Sequence, residues 1–213
     1  MQLDVIIQIA ALVLAMAAHE AAHAGMAFGL GDPTAQRMGR LTLNPIKHID
    51  PIGTILVPGV LLLTGSSFVF GWAKPVPVNY SNLKSRQDAM LVSLAGVVVN
   101  LALAMLAGFI LQILWANGWV DRRGIVFLFL FWSVIINGVL GIFNLIPLPP
   151  LDGSHVVSLS LPPNLSARYT RMQPYAIVIL VILMATGALW TVMDFFVRPV
   201  WRIALGDLAW MIQ

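Results

Sequence analysis

The chain has 213 residues, of which 59% are hydrophobic and only 10% are charged, and its net charge is +3. Soluble domains carry about 45–50% apolar and about 25% charged residues, so this chain has too few charges to cover a surface exposed to water. These numbers favour an integral membrane protein and exclude a disordered chain, a coiled coil, a collagen and a nucleic-acid-binding domain. Cysteine is absent, which excludes disulfides, thiolate metal ligands and cysteine nucleophiles.

The first hydrophobic segment runs from about Val5 to Leu30 and is long enough to cross a bilayer as a helix. Met1–Asp4 contains no Lys or Arg, whereas a secretory signal has a basic start and a cleavage site, so we interpret the segment as a retained span. A polar loop follows. The apolar stretch Ile52–Thr64 is short for a span and contains a proline, which indicates a re-entrant or interfacial segment. Alternation, aromatics and prolines in Phe68–Asn79 predict short extended pieces or edge strands.

The remainder of the chain contains three further apolar segments. We predict spans at Ala89–Trp115, Gly124–Leu145 and Tyr175–Val197, a short resumed helix at Ser154–Ser160, a loop at Leu161–Pro174 and an amphipathic tail at Arg198–Gln213. The predicted fold is therefore an all-α polytopic membrane protein that forms one domain over residues 1–213, with its core at 5–160. It has about four transmembrane helices and a re-entrant or short extended segment between the first two.

The distribution of Lys and Arg among the loops predicts the topology. If Ile52–Thr64 turns back, Gly31–Gln87 and Leu161–Pro174 share one side with eight basic residues, against four on the other side. This places the long basic loop in the cytoplasm and both termini outside, in a cell membrane of the bacterial type. If Ile52–Thr64 crosses, the split is seven against five, which barely decides the orientation.

One motif within the first span carries candidate chemistry. His19-Glu20-Ala21-Ala22-His23 is H-E-x-x-H, and Glu20 is the only glutamate of the chain. Residues four apart share a face of a helix, so both imidazoles can reach one Zn²⁺ ion, with Glu20 beside them as a general base. Ionisable residues at membrane depth are costly and indicate function by default. The alternative is a helix that buries His and Glu against polar neighbours only for packing.

A catalytic zinc site needs a third protein ligand and an open position for water. From the residues alone, the candidates are His48, His155, Asp50, Asp88, Asp152 and a few remote aspartates. Asp152 is favoured because it follows a proline-rich break at the end of a span, and irregular backbone at membrane depth is tolerated where it lines a cavity. The alternative is that Asp152 only caps the short helix that follows.

The chain resembles the site-2 protease family of intramembrane zinc metalloproteases. Members pair an H-E-x-x-H helix with a later N-x-x-P-x-x-x-L-D-G motif, which is present here as Asn144-Leu-Ile-Pro-Leu-Pro-Pro-Leu-Asp152-Gly153. The resemblance covers about Val5–Ser160 and implies one zinc ion held by His19, His23 and Asp152. It also implies that Glu20 is the catalytic base and that Asn144 handles the substrate backbone. The chain would be a short form without a PDZ or CBS domain.

Three further polar residues have weaker support. Gly96–Asn100 is similar to the family's G-P-x-x-N pattern, but Val97 replaces the proline, which weakens a substrate-binding role for Asn100. His155 lies three residues after Asp152 and could support the metal ligands, or simply pack on the resumed helix. His48 could be a gate or a second metal ligand, although a loop or interfacial histidine is the simpler interpretation.

The resulting hypothesis is an intramembrane zinc endopeptidase that cleaves transmembrane segments of single-span membrane proteins within the lipid bilayer. The substrate would present an extended stretch, and Ile52–Asn79 could offer it an edge for strand pairing. An alternative is a non-catalytic, metal-dependent membrane protein that binds clients. The intact Glu20 argues against that alternative, because a protein without catalytic function often loses its base. A transporter is disfavoured, because the sequence shows one proline break and no internal repeat.

Overall fold

The computed structural model of the protein describes residues 2–63 and 71–212. Within these residues the chain is helical and forms no β-strand. One π-helical turn covers Pro51–Leu56, and 3₁₀ turns cover Pro45–His48, Tyr80–Asn82 and Gly206–Ile212. The α-helices are α1 (Gln2–Gly29), α2 (Thr34–Arg37), α3 (Val57–Leu63), α4 (Arg86–Ala116), α5 (Ile125–Asn144), α6 (Asp152–Ser160), α7 (Pro163–Thr170), α8 (Gln173–Ala185) and α9 (Ala188–Leu205).

Three of these helices, α1, α4 and α5, are long and apolar enough to cross a membrane, and α8 with α9 would make a fourth if the bent pair counts as one span. Large apolar side chains are exposed on their outer faces, such as Ile6 on α1, Phe109 on α4 and Ile125 on α5. Such faces suit contact with lipid rather than water. The predicted all-α polytopic architecture is confirmed, and the first three predicted spans match the helix bounds to within a few residues.

The three long helices alternate in direction. His23 of α1 contacts Val92 of α4, whereas His19, one turn earlier, contacts Asn100, two turns later on α4. α1 and α4 are therefore antiparallel. Asn100 contacts Asn137 of α5, and the earlier residue Val97 lies beside the later Gly141, so α4 and α5 are antiparallel as well. It follows that α1 and α5 run in the same direction, and their C-terminal ends lie at the same side of the bundle.

This arrangement predicts the outcome of a topology experiment. α4 is the single long helix between Lys84 and Arg122, so accessibility tags at these two positions should report opposite sides of the membrane. The measurement is labelling of single engineered cysteines by a membrane-impermeant reagent in intact and in opened vesicles, using the absence of native cysteine. Labelling of both positions from the same side would contradict the single crossing.

The segment after α5 differs from the prediction in two places. Residues predicted as one span at 175–197 form two helices, α8 and α9, which meet at an angle of 82°. The break falls at Gly187, whose φ of +73° ends the helical path. α9 then packs against α4 and α5 through Met193, Val197 and Trp201, so contact with the bundle decides the direction of the chain. The predicted loop at 161–174 contains the short helix α7.

The segment between α1 and α4 contains no long helix among its described residues. The π-helical turn and α3 together cover 13 residues, about 20 Å of helix, which is short of the roughly 30 Å hydrocarbon core. Residues 71–79 are extended but form no β-ladder, so the predicted edge strands are not formed there. Thr64 and residues 68–70, which also belonged to the predicted segments, lie outside the described residues.

Candidate metal centre

The two histidines of the H-E-x-x-H motif lie one turn apart on α1 and face the same interior position. Their Nε2 atoms are 3.0 Å apart, and each residue is only 8% exposed. The predicted convergence of the two imidazoles is therefore present in the fold. It depends on the helical repeat of α1, since side chains at i and i+4 lie above one another.

Asp152, the first residue of α6, reaches the same position after the turn that follows α5. Its Oδ2 lies 3.1 Å from Nε2 of His19 and 3.3 Å from Nε2 of His23. The chain folds back tightly after α5, so that a Cβ on Gly153 would lie 2.2 Å from the carbonyl oxygen of Leu145. Only glycine tolerates this approach, which explains the Gly that follows Asp152. The carboxylate points at the histidines, and no side-chain cap closes the start of α6.

The hydrogen bonds of the two imidazoles determine which nitrogens are free. His19 Nδ1 lies 2.6 Å from Oδ1 of Asn100, and His23 Nδ1 lies 2.7 Å from the carbonyl oxygen of Val92. Both partners are acceptors, so both Nδ1 atoms carry the proton in the neutral rings. The Nε2 atoms therefore present lone pairs toward each other and toward Oδ2 of Asp152, which is buried without a hydrogen-bond partner. Three lone pairs that converge without a proton between them suit a cation.

The separations also fit zinc. Zn–N and Zn–O bonds of about 2.0–2.1 Å in a tetrahedron place neighbouring ligand atoms about 3.3 Å apart. The three distances between the nitrogen and oxygen atoms here are 3.0, 3.1 and 3.3 Å. Two imidazoles and one carboxylate, with a fourth position left for water, are a ligand set of catalytic zinc sites. The residues present therefore fit the metal that the motif implies.

The other predicted histidines are not in this ligand group. Among the described residues, the His, Asp and Glu side chains that meet closely enough to hold a metal are His19, His23 and Asp152. His48 is 3% exposed, and its Nε2 lies 2.8 Å from the carbonyl oxygen of Thr42. His155 is exposed and stacks on the ring of Tyr80, with ring centroids 5.9 Å apart.

Glu20 lies next to His19 on α1 and has its own hydrogen-bond partner. Its Oε2 accepts a hydrogen bond of 2.7 Å from the backbone N–H of Val76 in the extended segment 71–79. The Val76 side chain is buried beside Ala24 and Ala35. The carboxylate is thus held by a backbone donor from a segment that the sequence placed between the first two spans. The sequence had no pattern that predicted this contact.

Two buried charged residues hold the 71–79 segment in place. Arg40 is 8% exposed and donates from Nη2 to the carbonyl oxygen of Lys74 at 2.7 Å. At the far end, Asp32 is fully buried and accepts the N–H of Asn79 at 2.7 Å. Burial acts to raise the pKa of Asp32, but hydrogen bonds from Thr34, Asn82 and Asn79 outweigh it, and its pKa lies below the ordinary value. Both ends of the segment that touches Glu20 are therefore anchored.

The contacts of the 71–79 segment limit how a substrate strand could pair with it. The N–H groups of Trp72, Lys74 and Val76 all bond inward, to Gly53, His48 and Glu20. Alternate residues of an extended chain face the opposite edge, and two of these are prolines, Pro75 and Pro77. Proline has no N–H, so the outer edge has few backbone donors to offer. A paired substrate would have to supply most of the donors.

The two asparagines that the sequence singled out lie in different surroundings. Asn100 of α4 is fully buried where this helix packs against α1 and α5, and its Oδ1 faces His19. Asn144 is partly buried near the end of α5 and donates back to the carbonyl oxygen of Leu140 at 3.0 Å. The sequence reasoning missed Asn137, which is 4% exposed and donates to Ser133. A lone amide within an apolar span was the available signal.

Comparison with known proteins gives a consistent result. The family model described as Peptidase family M50 matches residues 112–186, the part of the chain that contains Asp152. Two bacterial relatives are both named "Putative zinc metalloprotease". YwhC of Bacillus subtilis is 42% identical over 180 residues, covering 82% of this chain and 78% of the relative. Rip2 of Mycolicibacterium smegmatis is 31% identical over 186 residues, covering 86% and 68% respectively. No solved structure matches the chain significantly.

The apolar helices and the buried ligand set define a multi-pass membrane protein with a candidate metal centre inside its helical bundle. This chain belongs to peptidase family M50, the site-2 protease family of zinc metalloproteases. The resemblance inferred from the two motifs is thereby confirmed.

Proposed function

We propose that the protein is an intramembrane zinc endopeptidase that cleaves transmembrane segments of single-span membrane proteins. The observation that carries the proposal is the meeting of Nε2 of His19, Nε2 of His23 and Oδ2 of Asp152 within 3.3 Å of one another. α1, which carries both histidines, and α5, which precedes the turn leading to Asp152, are both long and apolar enough to span the bilayer. One zinc ion per chain is expected, because the site has one set of three ligands.

When bound, zinc would polarise the scissile carbonyl and lower the pKa of a water molecule at the open fourth position. The remaining steps belong to this chain. Glu20 takes a proton from the attacking water and later passes it to the leaving amine nitrogen. The N–H of Val76 holds one oxygen of that carboxylate in place. The family motif supports a role for Asn144, at the end of α5, in hydrogen-bonding the substrate backbone.

The substrate would reach the site in an extended form, because a helix shields its amides from attack. The long basic loop that contains the 71–79 segment would lie in the cytoplasm of a bacterial-type cell, with the site accessible from the bilayer. His155 and His48 lie outside the ligand set, and we propose supporting rather than ligating roles for them. A non-catalytic client-binding protein remains the alternative function, and the same metal centre would serve it.

The ligand assignment predicts a contrast between two neighbouring residues of α6. Asp152→Ala should lose most of the bound zinc and all measurable cleavage, because it removes one of three ligands. His155→Ala should retain about one equivalent of zinc, because its ring stacks on Tyr80 instead of facing the histidines. The measurement is metal content of the purified proteins in detergent, with cleavage of a reconstituted single-span substrate in parallel. If the two results are exchanged, His155 is the third ligand and the assignment is wrong.

A further inference from the structure

A chain of buried amides connects the candidate metal centre to the third long helix. Asn100 Oδ1 faces Nδ1 of His19 at 2.6 Å, and Asn100 Nδ2 donates to Oδ1 of Asn137 at 2.8 Å. Asn137 Nδ2 then donates to the carbonyl oxygen of Ser133 at 2.9 Å. Asn100 and Asn137 are 0% and 4% exposed, so water does not replace these contacts. The chain joins α1, α4 and α5.

The orientation of the Asn100 amide affects whether His19 can bind the metal. An amide can turn either its oxygen or its NH₂ group toward a neighbour. With the oxygen facing His19, Nδ1 holds the proton and Nε2 keeps its lone pair for the metal. With the NH₂ group facing His19, Nδ1 would have to accept, the proton would move to Nε2, and the ligand would be lost. The partner of the second imidazole nitrogen thus decides whether His19 binds zinc.

The series of amides ends at the backbone carbonyl of Ser133, which cannot exchange its acceptor role for a donor role. A backbone carbonyl only accepts, so it requires the NH₂ end of Asn137, which leaves the oxygen of Asn137 for Asn100. That oxygen in turn requires the NH₂ end of Asn100, which leaves its oxygen for His19. A second acceptor, the carbonyl oxygen of Ala15 at 3.3 Å from Nδ2 of Asn100, favours the same orientation more weakly.

We propose that Asn137 is a positioning residue for the metal centre, which orients the Asn100 amide and thereby keeps His19 in its metal-binding tautomer. The proposal deepens the proposed function and rests on its zinc ligands. Loss of a residue hydrogen-bonded to a metal ligand costs about 10–100-fold in metal affinity. Asn137 acts one residue further away, so Asn137→Leu should weaken zinc binding by about tenfold, the lower end of that range.

The experiment measures zinc affinity by competition with a chelator on the full-length protein in detergent, so cleavage is not needed as a readout. The visible absorption bands of the Co²⁺-loaded protein should also change in Asn137→Leu, because the His19 ring is no longer held. Asn137→Asp retains an acceptor for Asn100 and should bind zinc within about threefold of wild type, well inside the 10–100-fold scale of a lost partner. Asn137→Ala removes the same groups as Leu and serves if the Leu variant does not fold.

A matched control is available on α4. Gln112 is also a partly buried amide on a spanning helix, and it donates to the carbonyl oxygen of Ala204 far from the metal ligands. Gln112→Leu should lower thermal stability without changing the zinc affinity. If Gln112→Leu weakens zinc binding as much as Asn137→Leu does, the effect of Asn137 is general destabilisation and the proposal is overturned.

A double-mutant cycle separates orientation from mere packing. Asn100→Asp replaces the amide by a carboxylate with two oxygens, so an acceptor faces His19 in either orientation of the group. In the Asn100→Asp background, Asn137→Leu should therefore have little effect on zinc affinity. An equal loss in both backgrounds, or no loss in the wild-type background, would overturn the proposal. A wild-type protein that binds no zinc would overturn the proposed function as well, which distinguishes the two failures.

Discussion

Glu20→Gln should abolish cleavage while leaving the zinc ion bound and the fold intact. Glu20 is not needed as a ligand, because His19, His23 and Asp152 fill three positions and the fourth belongs to water. Glutamine has the same shape and keeps a carbonyl oxygen for the N–H of Val76. Only the negative charge and the basicity are lost. General acid–base catalysis contributes about 10²–10⁴ in rate, and Glu20 would act twice, as base and then as acid, so we expect a loss at the upper end or beyond.

The measurement is cleavage of single-span membrane proteins reconstituted with either variant, followed on a gel, together with metal content. Asp50→Asn is a matched control, since it also replaces a carboxylate by an amide, and its retained oxygen can still accept the N–H groups of Ile52 and Gly53. Asp50→Asn should cut at the wild-type rate. Equal cleavage by wild type and Glu20→Gln would show that Glu20 is not the base. If neither wild type nor Glu20→Gln cleaves any substrate, but both retain zinc and bind the same partners, the client-binding function gains support.

Gly96→Ala should remove zinc from the protein even though alanine is the better helix former. A Cβ at position 96 would lie 2.5 Å from Cε1 of His19 and 2.5 Å from Nε2 of His23. Neither ring can stay where it is, and both are ligands. Gly→Ala within a helix with free space would stabilise by about 0.5–1 kcal/mol. We therefore expect more than the roughly 10–100-fold loss of affinity that follows removal of an outer hydrogen-bond partner.

The measurement for Gly96→Ala is zinc affinity by chelator competition, with helical content by circular dichroism. Gly108→Ala is the control on the same helix, α4, because its Cβ would lie 2.1 Å from the carbonyl oxygen of Ala204 of α9, away from the metal ligands. Gly108→Ala should loosen the packing of α4 against α9 and lower stability, yet retain zinc wherever the protein still folds. Unchanged zinc affinity in Gly96→Ala would mean that the two imidazoles do not pack against α4 as described.

Much of the architecture followed from composition and local pattern. The low charge and the long apolar segments predicted the spans that became α1, α4 and α5, because each bilayer crossing needs its own run of about 20 apolar residues. The H-E-x-x-H spacing predicted that His19 and His23 share a face, because the helical repeat is a local property. The proline-rich break predicted the end of α5 and a short helix at Ser154–Ser160, and the observed helix begins two residues earlier, at Asp152.

The remaining features depended on contacts between distant segments. The residue types alone left several His and Asp residues as candidates for the third ligand. The antiparallel bundle and the tight turn at Gly153 bring Asp152 within 3.3 Å of both imidazoles. Residues 175–197 had the apolar content of one span, yet α9 turns by 82° to pack on α4 and α5. An apolar run is equally compatible with a straight and a bent path, so neighbouring helices decide between them.

Hydropathy and the spacing of residues within single helices were sufficient to predict the membrane class, the three long spans and the pair of imidazoles. The packing of the helices was needed to define the partner of each imidazole, the backbone donor that holds Glu20 and the hydrogen bond between Asn100 and Asn137. Those contacts join residues between 37 and 81 positions apart. A hydrogen bond has direction and reaches only about 3 Å, so its partner is defined only when the helices have packed.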